Sequence, residues 1–397
     1  MSNLQKALDA YKNGELIIVT DDADRENEGD LMLLAEKATP EKVAFMVRHT
    51  TGILCVAMTQ DRARTLRLPL MVEENQDSKK TAFTVSVDYK VGLTTGVSAT
   101  ERSNTVRALA DTSVTHADFI RPGHIFPLIA DNGGLQARGG HTEAGVALSH
   151  LVGAQPVCLL SEIVNDDGSM ARGASLSAFA EQHSIPMISV AELKGIAPVA
   201  PATHSQFEFA WAQLPLRTGL WSIATYPGLR QREHAVIAFG DVGKAPLVRI
   251  HSECFTGDVV HSQRCDCGEQ LEKSISLIQS HGHGYIIYLR DHEGRGIGLT
   301  EKIKAYQLQD AGMDTIDANL HLGHEIDARD WSDAIAIVRA LGLKELTLLT
   351  NNPNKVQALR DAGVEVTQAN LTVAANSFNE KYLATKEEKL GHLRGGK

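Results

Sequence analysis

Ile196-Ala197-Pro198-Val199-Ala200-Pro201-Ala202-Thr203-His204-Ser205 is the stretch that divides this chain of 397 residues into two parts. It is rich in proline and alanine and has no helical or strand periodicity, which is typical of an interdomain linker. A chain of this length has room for two or three domains of about 100–200 residues each. We therefore predict two domains, residues 1–199 and residues 200–397, joined by this linker.

Short apolar strands alternate with helices before the linker. Strands are predicted over residues 15–20, 53–58, 81–87, 157–164 and 187–190. Helices are predicted from Leu4 to Asn13, from a Thr39-Pro40 start to about His49, and after the capping box Ser98-Ala99-Thr100-Glu101. This alternation indicates a mixed α/β domain.

The pattern changes after the linker, where three strands come first. They are predicted over residues 220–225, 234–239 and 246–251. Then follow a helix (269–279), a strand (285–290), helices (301–311 and 334–341), a strand (345–350) and a helix from Pro353. Because this order differs from that of the first half and no internal repeat is visible, we predict two unrelated mixed α/β (α+β) domains.

Composition restricts the class of protein. The formal net charge of -10 disfavours nucleic acid as a partner, because binding phosphates requires clustered lysine and arginine. The chain has no run of about 18 apolar residues, so no membrane span is predicted. The first residues lack the apolar core of a signal peptide. Five cysteines without an export signal favour reduced thiols. We expect a cytoplasmic protein that binds neither membrane nor nucleic acid.

Three of the five cysteines are closely spaced. Cys254, Cys265 and Cys267 have the spacing C-x10-C-x-C, with no obvious fourth ligand nearby. Three thiolates suit a catalytic zinc ion, which keeps one coordination position open. The alternative is that they are buried structural cysteines, but their neighbours are charged residues and glycine. Cys55 and Cys158 have apolar neighbours, and for these two the core interpretation is favoured.

The second half resembles GTP cyclohydrolase II. The resemblance is carried by Arg249-Ile250-His251-Ser252-Glu253-Cys254, Arg264-Cys265-Asp266-Cys267-Gly268, Glu293-Gly294-Arg295-Gly296-Ile297-Gly298-Leu299 and Leu349-Thr350-Asn351-Asn352-Pro353, in order. It implies an enzyme that opens the imidazole ring of GTP, releases formate from C8 and removes pyrophosphate. The implied nucleophile is a water activated by Zn²⁺ on Cys254, Cys265 and Cys267. The glycine spacing fits neither a dinucleotide fingerprint nor a P-loop.

The resemblance also assigns roles to single residues. It implies that Tyr306 is an active-site residue, that Asp327 accepts a proton and that Arg329 attacks the α-phosphorus. Stabilisation of transition-state charge is the more conservative role for Arg329, because a guanidinium stays protonated. The implied GTP contacts are Arg249, Ile250, His251, Ser252, Glu253, Gln270, Glu293, Gly294, Arg295, Thr315, Thr350 and Lys355. His324 departs from the family pattern, in which an aromatic or apolar residue is more frequent.

An acidic loop follows the first strand. Its sequence is Asp21-Asp22-Ala23-Asp24-Arg25-Glu26-Asn27-Glu28-Gly29-Asp30. Charge alone favours a solvated acidic turn, and carboxylate oxygens also suit Mg²⁺. So many like charges repel one another unless a cation compensates for them, which argues against the solvated turn.

The first half resembles 3,4-dihydroxy-2-butanone 4-phosphate synthase. The matching blocks are Arg25 to Asp30, Arg121-Pro122-Gly123-His124-Ile125-Phe126-Pro127, Arg138-Gly139-Gly140-His141-Thr142-Glu143-Ala144 and Glu162-Ile163-Val164-Asn165-Asp166-Asp167-Gly168. The resemblance implies Mg²⁺ (or Mn²⁺) held by Glu26 and His141, with His124 and Glu162 needed for activity. The implied contacts to ribulose 5-phosphate are Arg25, Glu26, Asp30, Arg138, Gly139, Gly140, His141, Thr142 and Glu162. Arg138 and Thr142 bracket a Gly-Gly turn at a helix start, which suits a phosphate.

Both resemblances point to riboflavin biosynthesis, one half making a four-carbon unit and the other a pyrimidine precursor. An alternative is a chain in which only the synthase half is active and the second half binds GTP or serves assembly. A zinc-containing nucleic-acid binder is a weaker alternative because the chain has no basic stripe. By analogy with both families we expect a homodimer.

Overall fold

The structure is a computed structural model that describes residues 3–22, 25–72, 75–196, 207–229, 232–241, 245–371, 373–374, 376 and 378–380. The chain divides into two compact units, one of Met1–Ser205 with Leu229–Gln231 and the other of Gln206–Gly228 with Arg232–Lys397. The predicted boundary between residues 199 and 200 lies outside the described residues. Each unit contains its own seven-stranded sheet, which confirms the predicted mixed α/β class.

The first unit combines seven strands with eight α-helices among its described residues. Its strands are β1 (Ile17–Thr20), β2 (Gly29–Leu34), β3 (Cys55–Met58), β4 (Val87–Tyr89), β5 (Phe119–Ile129), β6 (Val157–Glu162) and β7 (Met187–Ser189). Its helices are α1 (Asn3–Lys12), α2 (Pro40–His49), α3 (Gln60–Thr65), α4 (Ala99–Ala110), α5 (Gly134–Ala137), α6 (His141–Leu151), α7 (Ala174–His183) and α8 (Val190–Lys194), with 3-10 turns at Ala35–Lys37 and His116–Asp118.

The first sheet has the strand order β4-β5-β3-β6-β2-β1-β7. The β1–β7 and β3–β5 pairs are parallel and the other pairs are antiparallel. Successive side chains of a strand face opposite sides of the sheet. Ile18 and Leu31 accordingly enter one apolar cluster, whereas Ile17, Val19 and Met32 enter the other. Both faces of the sheet are therefore buried, which explains why these strands are continuous apolar runs rather than alternating ones.

Local sequence signals set the helix starts as predicted. The side chain of Thr39 accepts a hydrogen bond from the backbone N–H of Lys42, and Pro40 occupies the first turn of α2. Ser98 and Glu101 form the reciprocal capping box at the start of α4. These two N-termini confirm the predictions made from the sequence.

The strand predicted over residues 81–87 is wrong in its extent. Phe83 and Thr84 form only isolated bridges, to Leu128 and Leu70, and the regular strand begins at Val87. The alternation of apolar and polar residues is present, but the two bridges lead to different segments of chain. A regular strand requires one continuous neighbour, so the pattern here produces an irregular segment.

The second unit combines seven strands with five α-helices among its described residues. Its strands are β8 (Ala212–Leu216), β9 (Gly219–Pro227), β10 (Glu233–Phe239), β11 (Leu247–Ser252), β12 (Gly284–Leu289), β13 (Glu345–Leu349) and β14 (Glu365–Ala369). Its helices are α9 (Cys267–His281), α10 (Gly298–Asp310), α11 (Thr315–His321), α12 (Ser332–Ala340) and α13 (Pro353–Asp361), with a π-helical turn at Phe255–Val259 and a 3-10 turn at Glu293–Arg295.

The second sheet has the strand order β14-β13-β11-β12-β10-β9-β8. The pairs from β14 to β12 are parallel, and the pairs from β12 to β8 are antiparallel. Ser252 and Leu289, at the ends of β11 and β12, lie opposite each other. In open α/β sheets ligands bind at the carboxyl ends of parallel strands. The motifs of the second half directly follow β11, β12 and β13, so they meet at the carboxyl ends of these parallel strands.

Candidate active sites

The acidic loop of the first unit joins β1 to β2 at one edge of the sheet. Thr20 pairs with Gly29 at the base of the loop, and Asp30 lies opposite Glu162 of β6. Antiparallel pairing thus brings the end of β1, the start of β2 and the end of β6 together. Carboxylates that are distant in sequence consequently lie at the same sheet edge.

Asp21 organises this loop, a role that the sequence analysis did not assign to it. Its Oδ1 accepts a hydrogen bond from the backbone N–H of Glu28 at 2.9 Å, and its Oδ2 accepts one from that of Glu26 at 3.1 Å. The guanidinium of Arg25 donates to Asp21 Oδ2 at 2.9 Å and to Glu26 Oε2 at 2.7 Å. The buried Asp21 carboxylate therefore fixes the positions of both predicted site residues, Arg25 and Glu26.

His141, the first residue of α6, is oriented by the backbone of β1. Its Nε2 lies 3.1 Å from the carbonyl oxygen of Val19, and a carbonyl only accepts hydrogen bonds, so Nε2 carries the proton. Burial lowers the pKa of His141, which keeps the imidazole neutral. The lone pair on Nδ1 is then directed at carboxylates, 3.9 Å from Glu26 Oε2 and 3.7 Å from Asp30 Oδ1.

This arrangement fits a divalent cation. Ligand atoms of Asp21, Glu26 and His141 all lie within 4.8 Å of one another. The Oδ1 atom of Asp30 is buried and has no hydrogen-bond partner among the described residues. Burial, together with the charges of Glu162 and Glu26, raises the pKa of Asp30 well above its usual value. An imidazole lone pair and carboxylate oxygens that face one another are stabilised by a bound metal ion.

Two guanidinium groups and one carboxylate surround the start of α6. Gly140 is the N-cap residue and makes no side-chain cap, so the first N–H groups of the helix are available to an anion. A Cβ atom at Gly140 would lie 2.6 Å from Arg138 Nη1, 2.9 Å from Glu143 Oε2 and 3.0 Å from Arg25 Nη2. A larger residue at this position would therefore displace these charged groups. Thr142, in the first turn of α6, is buried.

Arg138 is held in place by Glu143 and Thr81, to which the sequence had assigned no role in the site. Its Nη1 donates to Glu143 Oε2 at 2.6 Å, and its Nη2 donates to Thr81 Oγ1 at 3.1 Å. Glu143 is buried, and burial raises the pKa of its carboxyl group although Arg138 acts to lower it. The buried acid thus orients the arginine and offsets part of its charge.

The two remaining predicted residues of this unit occupy different surroundings. Glu162 lies at the end of β6, where its Oε2 accepts a hydrogen bond from the hydroxyl of Thr51 at 2.8 Å. His124 lies on β5, with Nδ1 2.7 Å from Asp88 Oδ2. In the part of the chain that the structure describes, no hydrogen bond or ion pair joins the Asp88–His124 pair to the acidic loop.

In the second unit the three predicted thiols lie together. Cys254 follows β11, Cys265 lies in the next loop and Cys267 begins α9; their Sγ atoms lie within 4.8 Å of one another. The Sγ atoms of Cys254 and Cys265 are 3.6 Å apart, and all three cysteines are free. A Cβ at Gly257 would lie 2.9 Å from Cys265 Sγ and 3.2 Å from Cys254 Sγ. The thiols can converge because this position is a glycine.

The ionisation of the thiols is typical of an incomplete metal site. Hydrogen bonds with Cys265 and Cys267 lower the pKa of Cys254, and the ammonium of Lys302 lowers it further. The contact with Cys254 raises the pKa of Cys265 to about 11, and contacts with both other thiols raise that of Cys267. A bound dication would allow all three to ionise, so this donor set fits zinc.

Most of the residues that the resemblance assigned to GTP binding, zinc or catalysis in this unit line one cavity. The implied GTP contacts in its lining are Arg249, His251, Ser252, Glu253, Gln270, Gly294, Arg295, Thr350 and Lys355, and the other predicted residues there are Cys254, Cys265, Cys267, Tyr306 and Arg329. Ile250, Glu293 and Asp327 do not line it, and the side chain of Thr315 lies outside the described set. The cavity is also lined by Arg264, His292, Lys302 and Asn319, to which no sequence motif had assigned a role.

Arg329 is clamped by Asp327 at the rim of the cavity. Its Nε donates to Asp327 Oδ1 at 2.7 Å and its Nη2 donates to Oδ2 at 2.5 Å. The guanidinium also lies 5.0 Å from the ring of Trp331. Burial acts to raise the pKa of Asp327, but Arg329 outweighs it and the net pKa is lowered. Asp327 is therefore a carboxylate that holds Arg329 as an oriented cation.

Two buried histidines of the cavity are neutral. His251 Nε2 lies 3.0 Å from Asp258 Oδ2, and burial lowers the pKa of His251 despite this partner. His292 Nε2 donates to the carbonyl of Asp330 at 2.9 Å, and its Nδ1 lies 3.2 Å from Ser252 Oγ. Burial and the nearby cations lower the pKa of His292 to about 3. Both rings can therefore accept or donate hydrogen bonds without adding positive charge.

Further polar side chains complete the walls of the cavity. Arg249 donates to the carbonyl of Leu349 at 3.0 Å and to Gln270 Oε1 at 2.6 Å, and burial lowers its pKa to about 10. The ammonium of Lys355 donates to the carbonyl of Ile250 at 2.8 Å. Ile250 thus contributes its backbone. Adjacent strand ends hold both cations inside the cavity, where an anionic ligand is favoured.

Two other groups near the cavity have partners of their own. His324, the departure from the family pattern, lies 3.2 Å from Glu301 Oε2. His234 forms a third group of potential ligands with Asp291 and Asp333. Its Nε2 is 2.9 Å from Asp333 Oδ2 and its Nδ1 accepts the backbone N–H of Arg290, so neither nitrogen remains for a metal.

Each of the two sheets carries a cluster of potential metal ligands at its strand ends, and comparison with known families gives the class of protein: an enzyme with two catalytic domains, one a lyase and the other a hydrolase. The profile of 3,4-dihydroxy-2-butanone 4-phosphate synthase matches residues 5–195, and that of GTP cyclohydrolase II matches residues 208–370. No helix among the described residues combines the length and apolarity needed to cross a bilayer.

Relatives cover the chain from end to end. The riboflavin biosynthesis protein RibBA of Salinispora tropica is 46% identical over 397 residues, covering 99% of this chain and 98% of that protein. The bifunctional riboflavin biosynthesis protein RIBA 1 of Arabidopsis thaliana, a chloroplastic form, is 45% identical over 99% of this chain and 73% of its own length. A solved structure, 3,4-dihydroxy-2-butanone 4-phosphate synthase in complex with two magnesium ions, is 40% identical and covers 50% of this chain and 100% of its own, with a TM-score of 0.48. The chain belongs to the family of bifunctional riboflavin biosynthesis proteins that fuse these two enzymes.

Proposed function

We propose that each unit catalyses one of the two reactions of the family with the residues gathered at its own sheet. The first converts ribulose 5-phosphate to 3,4-dihydroxy-2-butanone 4-phosphate and formate. The second hydrolyses GTP to 2,5-diamino-6-ribosylamino-pyrimidinone 5'-phosphate, formate and pyrophosphate. The observation that carries the proposal is the presence of two metal-compatible groups of different chemistry, three thiols in one unit and imidazole with carboxylates in the other.

In the first site, Glu26 and His141 would hold Mg²⁺ or Mn²⁺, with Asp21 beside them. Such an ion stabilises the negative charge of an enediolate when bound. Arg25, Arg138 and the start of α6 would bind the phosphate of ribulose 5-phosphate. Burial and the neighbouring carboxylates raise the pKa of Asp30, which favours its protonated form, and Glu162 opposite it would transfer protons, as the resemblance implies.

In the second site, Cys254, Cys265 and Cys267 would hold zinc, which activates a water molecule when bound. Arg249 and Lys355 would bind the phosphates of GTP, and Gln270 would contact the base, as the resemblance implies. Tyr306, whose pKa is raised to about 12 by burial, would donate a hydrogen bond near the thiols. The clamp by Asp327 supports Arg329 as a stabiliser of phosphate charge rather than as a nucleophile.

Separate metal sites predict separable activities. Cys265→Ser is expected to abolish release of pyrophosphate from GTP while the ribulose 5-phosphate reaction continues. Glu26→Gln is expected to have the opposite effect, and circular dichroism of both variants checks that the substituted unit is folded. Elemental analysis of the purified protein should find zinc, and the Cys265→Ser variant should lose it. If one substitution eliminates both activities in a folded chain, or if zinc persists without Cys265, the two-site proposal is wrong.

The assembly state and cellular location extend the proposal. We infer a homodimer, as in both parent families, and a cytoplasmic location. Sedimentation velocity of the full chain tests the first, and fractionation of the source cells tests the second.

A further inference from the structure

Lys302 of α10 has an ammonium group that is enclosed beside the thiols. Only 10% of its side chain is exposed. Its Nζ donates to Glu293 Oε1 at 2.7 Å, to Thr256 Oγ1 at 2.9 Å and to Cys254 Sγ at 3.1 Å. An ammonium group has three N–H bonds, so these three acceptors account for all of them. None of the motifs in the sequence analysis assigns a function to this residue.

Glu293 connects Lys302 to two backbone N–H groups, those of Gly294 and Phe255. Its Oε1 accepts from Lys302 and from the N–H of Gly294, and its Oε2 accepts from the N–H of Phe255 at 2.6 Å. Phe255 directly follows Cys254, and Glu293 follows β12. The carboxylate therefore ties the segment after Cys254 to the end of the neighbouring strand. It is not among the residues that line the cavity, and the GTP contact that the resemblance implies for it stays a prediction.

A purely structural ion pair does not explain this arrangement. Removing a lysine and a glutamate from water costs more than their attraction returns, so such pairs are often replaceable by apolar residues without loss of stability. Here the ammonium contacts a sulfur, and a sulfur that bears negative charge is a strong acceptor for it. The contact with Cys254 therefore gives a reason for burying the ammonium group of Lys302.

We propose that Lys302 is a positioning residue of the zinc site, which holds Cys254 Sγ toward the other two thiols and offsets the negative charge of the metal-bound thiolates. Glu293 acts through Lys302 by fixing its ammonium. The inference rests on the proposed zinc site. Groups that orient metal ligands through hydrogen bonds usually contribute about 10–100-fold to metal affinity.

The test compares Lys302→Met, Lys302→Arg and Lys304→Met in the full chain. Methionine keeps the length and removes the charge and donors, whereas arginine keeps a cation with donors. Lys304 lies on the same helix, is 54% exposed and pairs with Glu301, so its replacement controls for loss of a lysine from α10. Zinc affinity is measured by competition with a chromophoric chelator. The thiolate-to-metal charge-transfer absorption of the cobalt-substituted protein reports sulfur ligation without any turnover.

Lys302→Met is expected to bind zinc about 10–100-fold more weakly and to show an altered cobalt spectrum, with Lys302→Arg intermediate and Lys304→Met like the wild type. Circular dichroism and the melting temperature of each variant check that the second unit is folded. Wild-type zinc affinity within threefold in Lys302→Met, or a lower melting temperature with an unchanged cobalt spectrum, overturns the inference. A wild-type chain that binds no zinc overturns the proposed function instead, so the two failures are distinguishable.

Discussion

Replacing Asp30 by asparagine should stabilise the first unit while stopping its reaction. The Asp30 side chain is buried, its Oδ1 lacks a partner among the described residues, and Glu162, Glu26, Asp21 and Glu28 all repel its charge. Asparagine has nearly the same shape but no charge, so it removes the like-charge repulsion and the cost of burying an unpaired charge, which is about 1–3 kcal/mol. For a unit of this size about 1 kcal/mol corresponds to about 2–4 °C, so the melting temperature should rise by about 2–12 °C.

The pH dependence of this gain has a definite sign. Burial raises the pKa of Asp30 above its unfolded value of 3.8, so the folded state binds the proton more tightly. The penalty in the wild type is complete where both states are ionised, shrinks as pH falls through the folded pKa and vanishes below the unfolded pKa. The advantage of Asp30→Asn should therefore be absent below about pH 4 and grow as pH rises until it passes the raised pKa of Asp30.

The measurement is a thermal melt in a chelator at several pH values, followed by titration with Mg²⁺. Added Mg²⁺ should raise the melting temperature of the wild type more than that of Asp30→Asn, because the ion removes the repulsion that the variant lacks. Asp167→Asn is the matched control: hydrogen bonds from Ser169 lower the pKa of Asp167, so its replacement should bring no gain. A variant at Asp30 that melts below the wild type at neutral pH without metal would refute this account of the acidic loop.

Three further predictions concern the second site and one helix start. Gly257→Ala places a methyl group 2.9 Å from the nearest Sγ, and the resulting overpacking of about 1–3 kcal/mol should weaken zinc binding by about 10–100-fold. The control is Gly195→Ala, which should leave zinc binding unchanged because the nearest atom to its new methyl group is 3.6 Å away. Equal zinc affinities of the two variants would contradict the packing argument. Arg329→Lys loses the two-point clamp by Asp327 and should lower kcat for GTP by about 10²-fold with little change in KM; a KM effect alone would indicate a binding role. Ser98→Ala removes the capping box of α4 and should cost about 1 kcal/mol in denaturant unfolding, whereas an unchanged midpoint would show that the cap is not needed.

The thiol group shows how much of a site local spacing reveals. Cys254, Cys265 and Cys267 fall within one turn-rich segment between β11 and α9, so their sequence spacing was sufficient to predict that they meet. Glu26 and His141 belong to distant segments, and only resemblance to a known family could associate them. Lys302 was missed because a lysine on a helix is solvated by default, and its enclosure depends on the turn at Glu293.

The fold was predicted best where strands are apolar and helices are capped. β2 was missed because it begins with Gly29-Asp30, both poor strand formers, although all six of its residues are buried. β5 contains Pro122 and Pro127, and β8 is an edge strand that contains Pro215. Proline lacks a backbone donor and is rare in strands, so neither segment has the usual sequence signal of a strand. Pairing with neighbouring strands nevertheless forms β5 and β8.

The lone pair of His141 has a consequence for the choice of metal by the living cell. Imidazole nitrogen binds later transition metals more strongly than it binds magnesium, following the Irving–Williams order. If the thiol group of the second unit takes up zinc as proposed, the same ion can also occupy the imidazole–carboxylate group of the first unit. Correct loading would then require a free zinc concentration at which the three thiolates fill while the imidazole–carboxylate group remains with the far more abundant Mg²⁺. Zinc excess should thus inhibit formation of the four-carbon product before it affects turnover of GTP.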